Sequence, residues 1–214
     1  DYDSRTGYLY PTDPEMASRS YAAPLVLQNR IGAPLVTTTS DAGGELGRQE
    51  TVYKDWDPGA ALLLMPEVIM TSKAAGALEP RVKYNAMDLS TGNPMEVEQA
   101  GGTKTSYLWG YNRTQPIAKI ENATNAQVRA ALGVSDLGTL SEANLAAIDN
   151  LRTSLPNAMV TTYTYQPLVG ITSITDPKGD KVTYHYDSFG RLQLVRDREG
   201  NILSENQYHY RPQN

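Results

Sequence analysis

The residues best suited to chemistry are few. The two histidines, His185 and His209, each stand between tyrosines, as Tyr184-His185-Tyr186 and Tyr208-His209-Tyr210. On adjacent strands they could share a metal ion, but two imidazoles without a third ligand make a poor zinc site. Tyrosine alternation along a strand explains an outward or cross-strand histidine with no ligand at all. The most regular carboxylates, Asp176, Asp187 and Asp197, each open a D-x-x-G turn that closes on Gly179, Gly190 or Gly200. An aspartate there can accept the backbone N–H two residues on, and the glycine can take positive φ, so the turn accounts for both without acid–base catalysis. The chain has no nucleophile elbow, no H-E-x-x-H and no phosphate-cradling glycine loop. It has no cysteine, which excludes thiol catalysis, disulfides and thiolate metal sites. Aspartate-rich turns suit calcium, yet no D-x-D-x-D-G loop is present. The expectation is a chain that is not an enzyme, holds no metal and needs no cofactor.

One constellation suits binding. Tyr107, Trp109 and Tyr111 alternate along a single stretch and could form an aromatic platform for a sugar ring. Aromatic residues on one strand face also serve core or inter-repeat packing. Asn112-Arg-Thr114 and Asn122-Ala-Thr124 are formal N-glycosylation sequons.

The elements that must carry these residues are short strands. Val182, Tyr184 and Tyr186 alternate with Thr183 and His185, the period of two of a strand with unlike faces. Leu192 and Leu194 begin the return strand. Asp176-Pro177-Lys178-Gly179 adds a proline that pre-sets φ at the second turn position. The pattern predicts a meander of hairpins, each too small to be stable alone. It recurs upstream in weaker form. A shift of 98 positions lays Gly92 on Gly190, Val97 on Val195 and Gly102 on Gly200, with a turn from Asp88 to Gly92 one residue longer. Tyr2-Asp3-Ser4-Arg5-Thr6-Gly7 has the same longer turn, and the chain is read as a piece of a larger repeat protein.

Composition agrees. Tyrosine occurs 14 times, phenylalanine once and tryptophan twice, a usage suited to half-buried sheets. A formal charge of −5 over 214 residues argues against nucleic acid or an anionic membrane as the main partner. The longest apolar run, Ala60 to Met65, is too short to span a bilayer.

Four segments follow. Residues 1–79 form an irregular β segment, with strands at Leu25–Leu27, Leu35–Thr39 and Thr51–Trp56, turns at 41–44 and 57–59, and an ambiguous stretch at Ala61–Thr71 broken by Pro66. Residues 80–121 hold the degenerate repeat. Residues 122–156 read as a two-helix insertion packed on one side of the sheet. Thr124 or Asn125 caps the first helix and Gly133 stops it. Ser141 caps the second, which carries Leu145, Ile148, Leu151 and Leu155 and ends at Pro156. Residues 157–214 return to repeats, with strands at Met159–Tyr165, Gly170–Thr175, Val182–Tyr186, Leu192–Val195 and Ile202–Tyr210.

Tyr186-Asp187-Ser188-Phe189-Gly190-Arg191-Leu192, followed by Val195, Asp197 and Gly200-Asn201, resembles the YD repeat of bacterial Rhs-type proteins, roughly Y-D-x-x-G-R-L-x-x-V-x-D-x-x-G-N. Tyr107–Thr124 and Ala158–Asp176 are similar to a subgroup from Gram-negative bacteria that export large surface proteins. The resemblance implies a mainly β fold, a YD-repeat hairpin array forming part of a spiralling β-shell. It implies a structural role for Asp176, Gly179, Tyr184, Tyr186, Asp187, Gly190, Arg191, Leu192, Val195, Asp197 and Gly200. Many relatives cleave themselves at a signature ending in D-P-x-G-L. Here Asp180 replaces the leucine and Pro167 lies nine residues before Asp176, so 176–179 reads as an ordinary turn.

By resemblance, the partners are the remainder of a larger YD-repeat polypeptide, an enclosed toxin or other cargo, and an export machinery of type IX kind. The place is outside the cell or on its surface. The alternative is an adhesin module that binds carbohydrate or a partner surface through Trp109 and exposed tyrosines.

Overall fold

The computed structural model describes residues 3–59 and 62–208. Expectations that fall on Tyr2, Ala60, Ala61, His209, Tyr210 and residues 211–214 lie outside the described residues, while the turn expected at residues 3–7 is instead strand from Arg5 onward, because these residues pair with residues 38–40. The protein is mainly β, with thirteen described strands. It divides into two compact units, Asp1–Thr103 and Lys104–Asn214.

The first unit contains β1 (Arg5–Leu9), β2 (Val36–Asp41), β3 (Gly44–Asp55), β4 (Leu64–Lys73), β5 (Glu79–Met87) and β6 (Pro94–Gln99). Each pairs antiparallel with its sequence neighbour. Residues between β1 and β2 supply the core. A 3-10 turn at Pro14–Met16 and the helix α1 (Ala22–Leu27) bring Met16, Tyr21 and Leu25 against Leu35, Val36 and Leu64. The strand expected at Leu25–Leu27 is therefore a helix. Pro24 sits in its first turn, where no backbone donor is needed, and the apolar run is too short for its period to distinguish the two states. The ambiguous stretch is strand β4. Pro66 is accommodated opposite Tyr53, at a register shift next to the Val52–Val68 pair. Buried Glu50 is ion-paired with Arg19 at 2.5 Å and Arg48 at 3.7 Å, which offsets the cost of burying its charge.

The second unit contains β7 (Lys104–Gly110), β8 (Gln115–Glu121), β9 (Met159–Gln166), β10 (Gly170–Thr175), β11 (Lys181–Tyr186), β12 (Leu192–Arg196) and β13 (Ile202–Glu205), again antiparallel in sequence order. Between β8 and β9 lie the helices. α2 (Asn125–Leu132) has Thr124 and Gln127 in a reciprocal capping box and a left-handed Gly133 at its end. The second expected helix is broken. Ser141 caps a 3-10 turn at Glu142–Asn144, and α3 (Leu145–Asp149) and α4 (Leu151–Ser154) follow as short pieces. Val128, Ile148 and Leu151 are fully buried, as are Leu108, Ile120 and Val160 of the strands. Each such side chain contributes about 1.5–3 kcal/mol by leaving water. The guanidinium of Arg152 pins the segment to the sheet by donating to the carbonyls of Asp176 at 3.0 Å and Thr175 at 3.1 Å.

Candidate functional site: the repeat turns and the tyrosine row

Three turns share one construction. In each, the aspartate N–H donates to the carbonyl four residues on, at 2.9 Å for Asp176, 2.9 Å for Asp187 and 3.0 Å for Asp197. The glycine N–H donates back to the aspartate carbonyl at 3.0, 3.0 and 3.1 Å. The aspartate Oδ1 accepts backbone N–H groups inside the turn: Lys178 and Asp180 on Asp176, Phe189 and Arg191 on Asp187, and Asn201 on Asp197. Gly179, Gly190 and Gly200 have φ of 89°, 74° and 89°, a region that favours glycine. The carboxylates thus serve the backbone. The hydrogen bonds from the Arg191 side chain hold the Asp187 carboxyl below the usual carboxylate range, and the Asn201 side chain does the same for Asp197. The longer Asp88 turn keeps the logic with one more residue: Asp88 N–H donates to Asn93 O, and Gly92 N–H to Asp88 O.

Tyrosines tie each hairpin to the strand before it. The Tyr165 hydroxyl donates to Pro116 O at 3.0 Å, Tyr186 to Ile171 O at 2.8 Å and Tyr208 to Leu192 O at 2.8 Å. Ladder register shifts accompany all three, since Trp109 pairs with Pro116 after a bulge, β9–β10 slips between Ile171 and Ser173, and Tyr186 pairs with Leu192 after a bulge. A bulge leaves a carbonyl outside the regular ladder, and a phenol can satisfy it. Gly170 makes room for this, because a Cβ there would lie 2.6 Å from the Tyr186 hydroxyl. Burial raises the Tyr165 phenol to about 12. Arg191 caps the row, its guanidinium 4.2 Å from the Tyr208 ring centre and 5.2 Å from that of Phe189.

The repeat residues occupy consistent places. Tyr184 pairs with Val195, and Tyr186 pairs with Leu192 across a bulge after His185. His185 is exposed, with its Nε2 3.4 Å from the Thr183 hydroxyl. Among the described residues, no group of three or more His, Asp or Glu side chains could hold a metal ion. Tyr107 and Trp109 lie on β7, opposite Lys119 and Pro116. Tyr111 does not join them. It belongs to the following turn, where its ring meets Tyr165 edge-on at 5.5 Å. Reading the sequence missed Tyr165, Gly170 and Tyr208. Their signal is a tyrosine recurring at 165, 186 and 208, against which the other tyrosine of each Tyr-x-Tyr (163, 184 and 210) is a distraction. Arg152 and Glu142 had no signal. A shallow groove of about 250 Å³ runs beside this row, lined by Gln115, Tyr165 and residues 166–171. No described helix is long and apolar enough to cross a membrane.

Residues 169–202 match the RHS Repeat family, spanning β10 to the start of β13. No curated protein matches the chain. Among solved structures, the chain is similar to TcdB2-TccC3 without its hypervariable C-terminal region, at 16% identity and TM-score 0.45, covering 92% of this chain and 8% of that one. It is also similar to TcdB2-TccC3, at 14% and 0.44, covering 80% and 8%. A third is the Tc holotoxin pore of Photorhabdus luminescens carrying a substituted TccC3, at 12% and 0.40, covering 95% and 10%. The chain spans a tenth or less of the length of those chains.

Proposed function

We propose that this chain, an RHS-repeat protein through residues 169–202, is a wall segment of a secreted or surface YD-repeat shell that encloses a polypeptide such as a toxin. Its role is architectural rather than catalytic. The observation that carries the reading is the build of β10–β13. These strands have self-satisfied turns and tyrosine ties, yet Ser173 is the one buried residue among them. Strands so poor in core gain their stability by stacking on further strands, which is the economy of a repeat wall. Continuous pairing supports this reading, because it leaves few open edges for protease or for aggregation. The unit puts Tyr111 into a turn and against Tyr165, so the three-ring platform of an adhesin gains no support.

Intact mass and peptide mapping of the native assembly that contains this chain test the reading. The expected result is this sequence within, or tightly bound to, a longer YD-repeat polypeptide, together with a protease-shielded companion. A folded chain recovered alone would overturn it.

A further inference from the structure

The turn between β7 and β8 carries three consecutive left-handed residues with side chains, Tyr111, Asn112 and Arg113, at φ of 50°, 56° and 62°. L side chains disfavour that region, so three in succession persist only where the surroundings impose them. Two contacts from the helical segment do so. The Glu142 carboxylate accepts the Tyr111 N–H at 2.7 Å, and the Arg113 guanidinium donates to Gly138 O at 3.1 Å. Gly110, just before the turn, leaves no space for a side chain: a Cβ there would lie 2.6 Å from Ile117 Cγ2 and 2.9 Å from the Glu142 carboxylate. Inside the turn, the Thr114 N–H donates to Gly110 O at 3.1 Å and its hydroxyl to Tyr111 O at 2.6 Å.

The turn governs a piece of the sheet. The β8–β9 register ends at the pair Ala118–Thr162. Beyond it, two phenols replace the ladder: the Tyr111 hydroxyl accepts the Tyr165 N–H at 2.9 Å, and the Tyr165 hydroxyl donates to Pro116 O. We infer that residues 136–144 are a conformational latch: they hold the β7–β8 turn left-handed, and the turn places Tyr111 to complete the β8–β9 ladder. The latch is distinct from the anchor of the same segment, which is buried Ile148 and Leu151 with Arg152 on the β10 end. Releasing it leaves the helices docked and frees the turn and Tyr165. The coupling stands independently of the shell reading.

Residue-resolved amide hydrogen exchange by NMR on the full chain tests it, comparing wild type, Glu142→Ala, Glu142→Gln and Tyr111→Phe. Glu142 is exposed, so its variants fold. Glu142→Ala is expected to speed exchange at Tyr111, Thr114 and Tyr165 together by roughly tenfold, the loss of about one hydrogen bond. Amides of β10–β12 stay unchanged. Glu142→Gln keeps an oxygen acceptor and restores protection. Tyr111→Phe speeds Tyr165 while Tyr111 and Thr114 amides remain protected. If Glu142→Ala frees Tyr111 but leaves Tyr165 protected, the coupling is wrong. No change at any of the three, or a uniform acceleration across the unit, also overturns the latch.

Discussion

Strands β7–β9 and β10–β13 belong to one sheet of one unit, yet they are stabilised in different ways. The first three carry a helical cover and bury Leu108, Ile120 and Val160 completely. The last four meet the helical segment through the Arg152 side chain at the end of β10. Apart from buried Ser173, their side chains are half-buried or exposed, and β13 is exposed throughout. Where a core exists, packing sets the geometry. Where it is missing, turns and tyrosine ties set it instead. Hydrogen bonds satisfied locally can specify a shape, but they contribute little net stability. The covered strands are therefore the unit's source of stability.

Truncating one side chain in each region is the sharpest way to break this contrast. Leu151→Ala is expected to cost about 2–5 kcal/mol in urea denaturation, because a fully buried leucine leaves a cavity. Val195→Ala on β12 should cost about 1 kcal/mol, since its side chain is half-exposed. Equal costs would dissolve the distinction. A smaller effect sharpens the account of the bare strands. Gly170→Ala forces a Cβ against the Tyr186 hydroxyl, and Tyr186→Phe deletes the bond to Ile171 O, each at about 0.5–1.5 kcal/mol. The double variant should cost little more than Gly170→Ala alone, because both remove the same tie. Additive costs would mean that Gly170 acts elsewhere.

The smallest effects depend on pH and are opposite in sign. Asp187 is held below the ordinary carboxylate range by Arg191, so its stabilisation is present above that range and is lost as pH falls through the lowered value. The stability difference between wild type and Asp187→Asn should vanish on acidification. Tyr165 is raised to about 12, so its stabilisation is full below the ordinary phenol value of about 10 and is lost as pH rises through about 12. Tyr165→Phe should flatten that alkaline loss in a denaturation series.

The bare strands were the most legible part of the chain. Each D-x-x-G spells out its own hydrogen bonds, because acceptor and donors lie within four residues. The caps of α2 were legible for the same reason: Thr124, one of two candidates, and Gly133 are local signals, while the part of Gln127 in the capping box was not read. The α1 helix was not, since Leu25-Val26-Leu27 carries no period and its identity is fixed by packing against Leu35 and Leu64. The tyrosine ties were half legible. Alternation marked the tyrosines, but which one reaches back depends on bulges that only strand pairing creates. The break between α3 and α4 and the reach of Arg152 to β10 are tertiary facts with no local spelling.

The helical segment enters and leaves the sheet at one point. Glu121 pairs with Met159, and the Asn122 side chain donates to Asn157 O at 2.9 Å, so the two ends of a long excursion stand where a tight turn would otherwise sit. The first tyrosine tie shows the excursion from the other side: it spans 49 residues of chain where its counterparts span 15 and 16, with the same bond. To the sheet, the excursion is a socket. Chain can be added or removed in that socket without moving its two ends, provided the contacts of Gly138 and Glu142 to the β7–β8 turn and of Arg152 to β10 are kept.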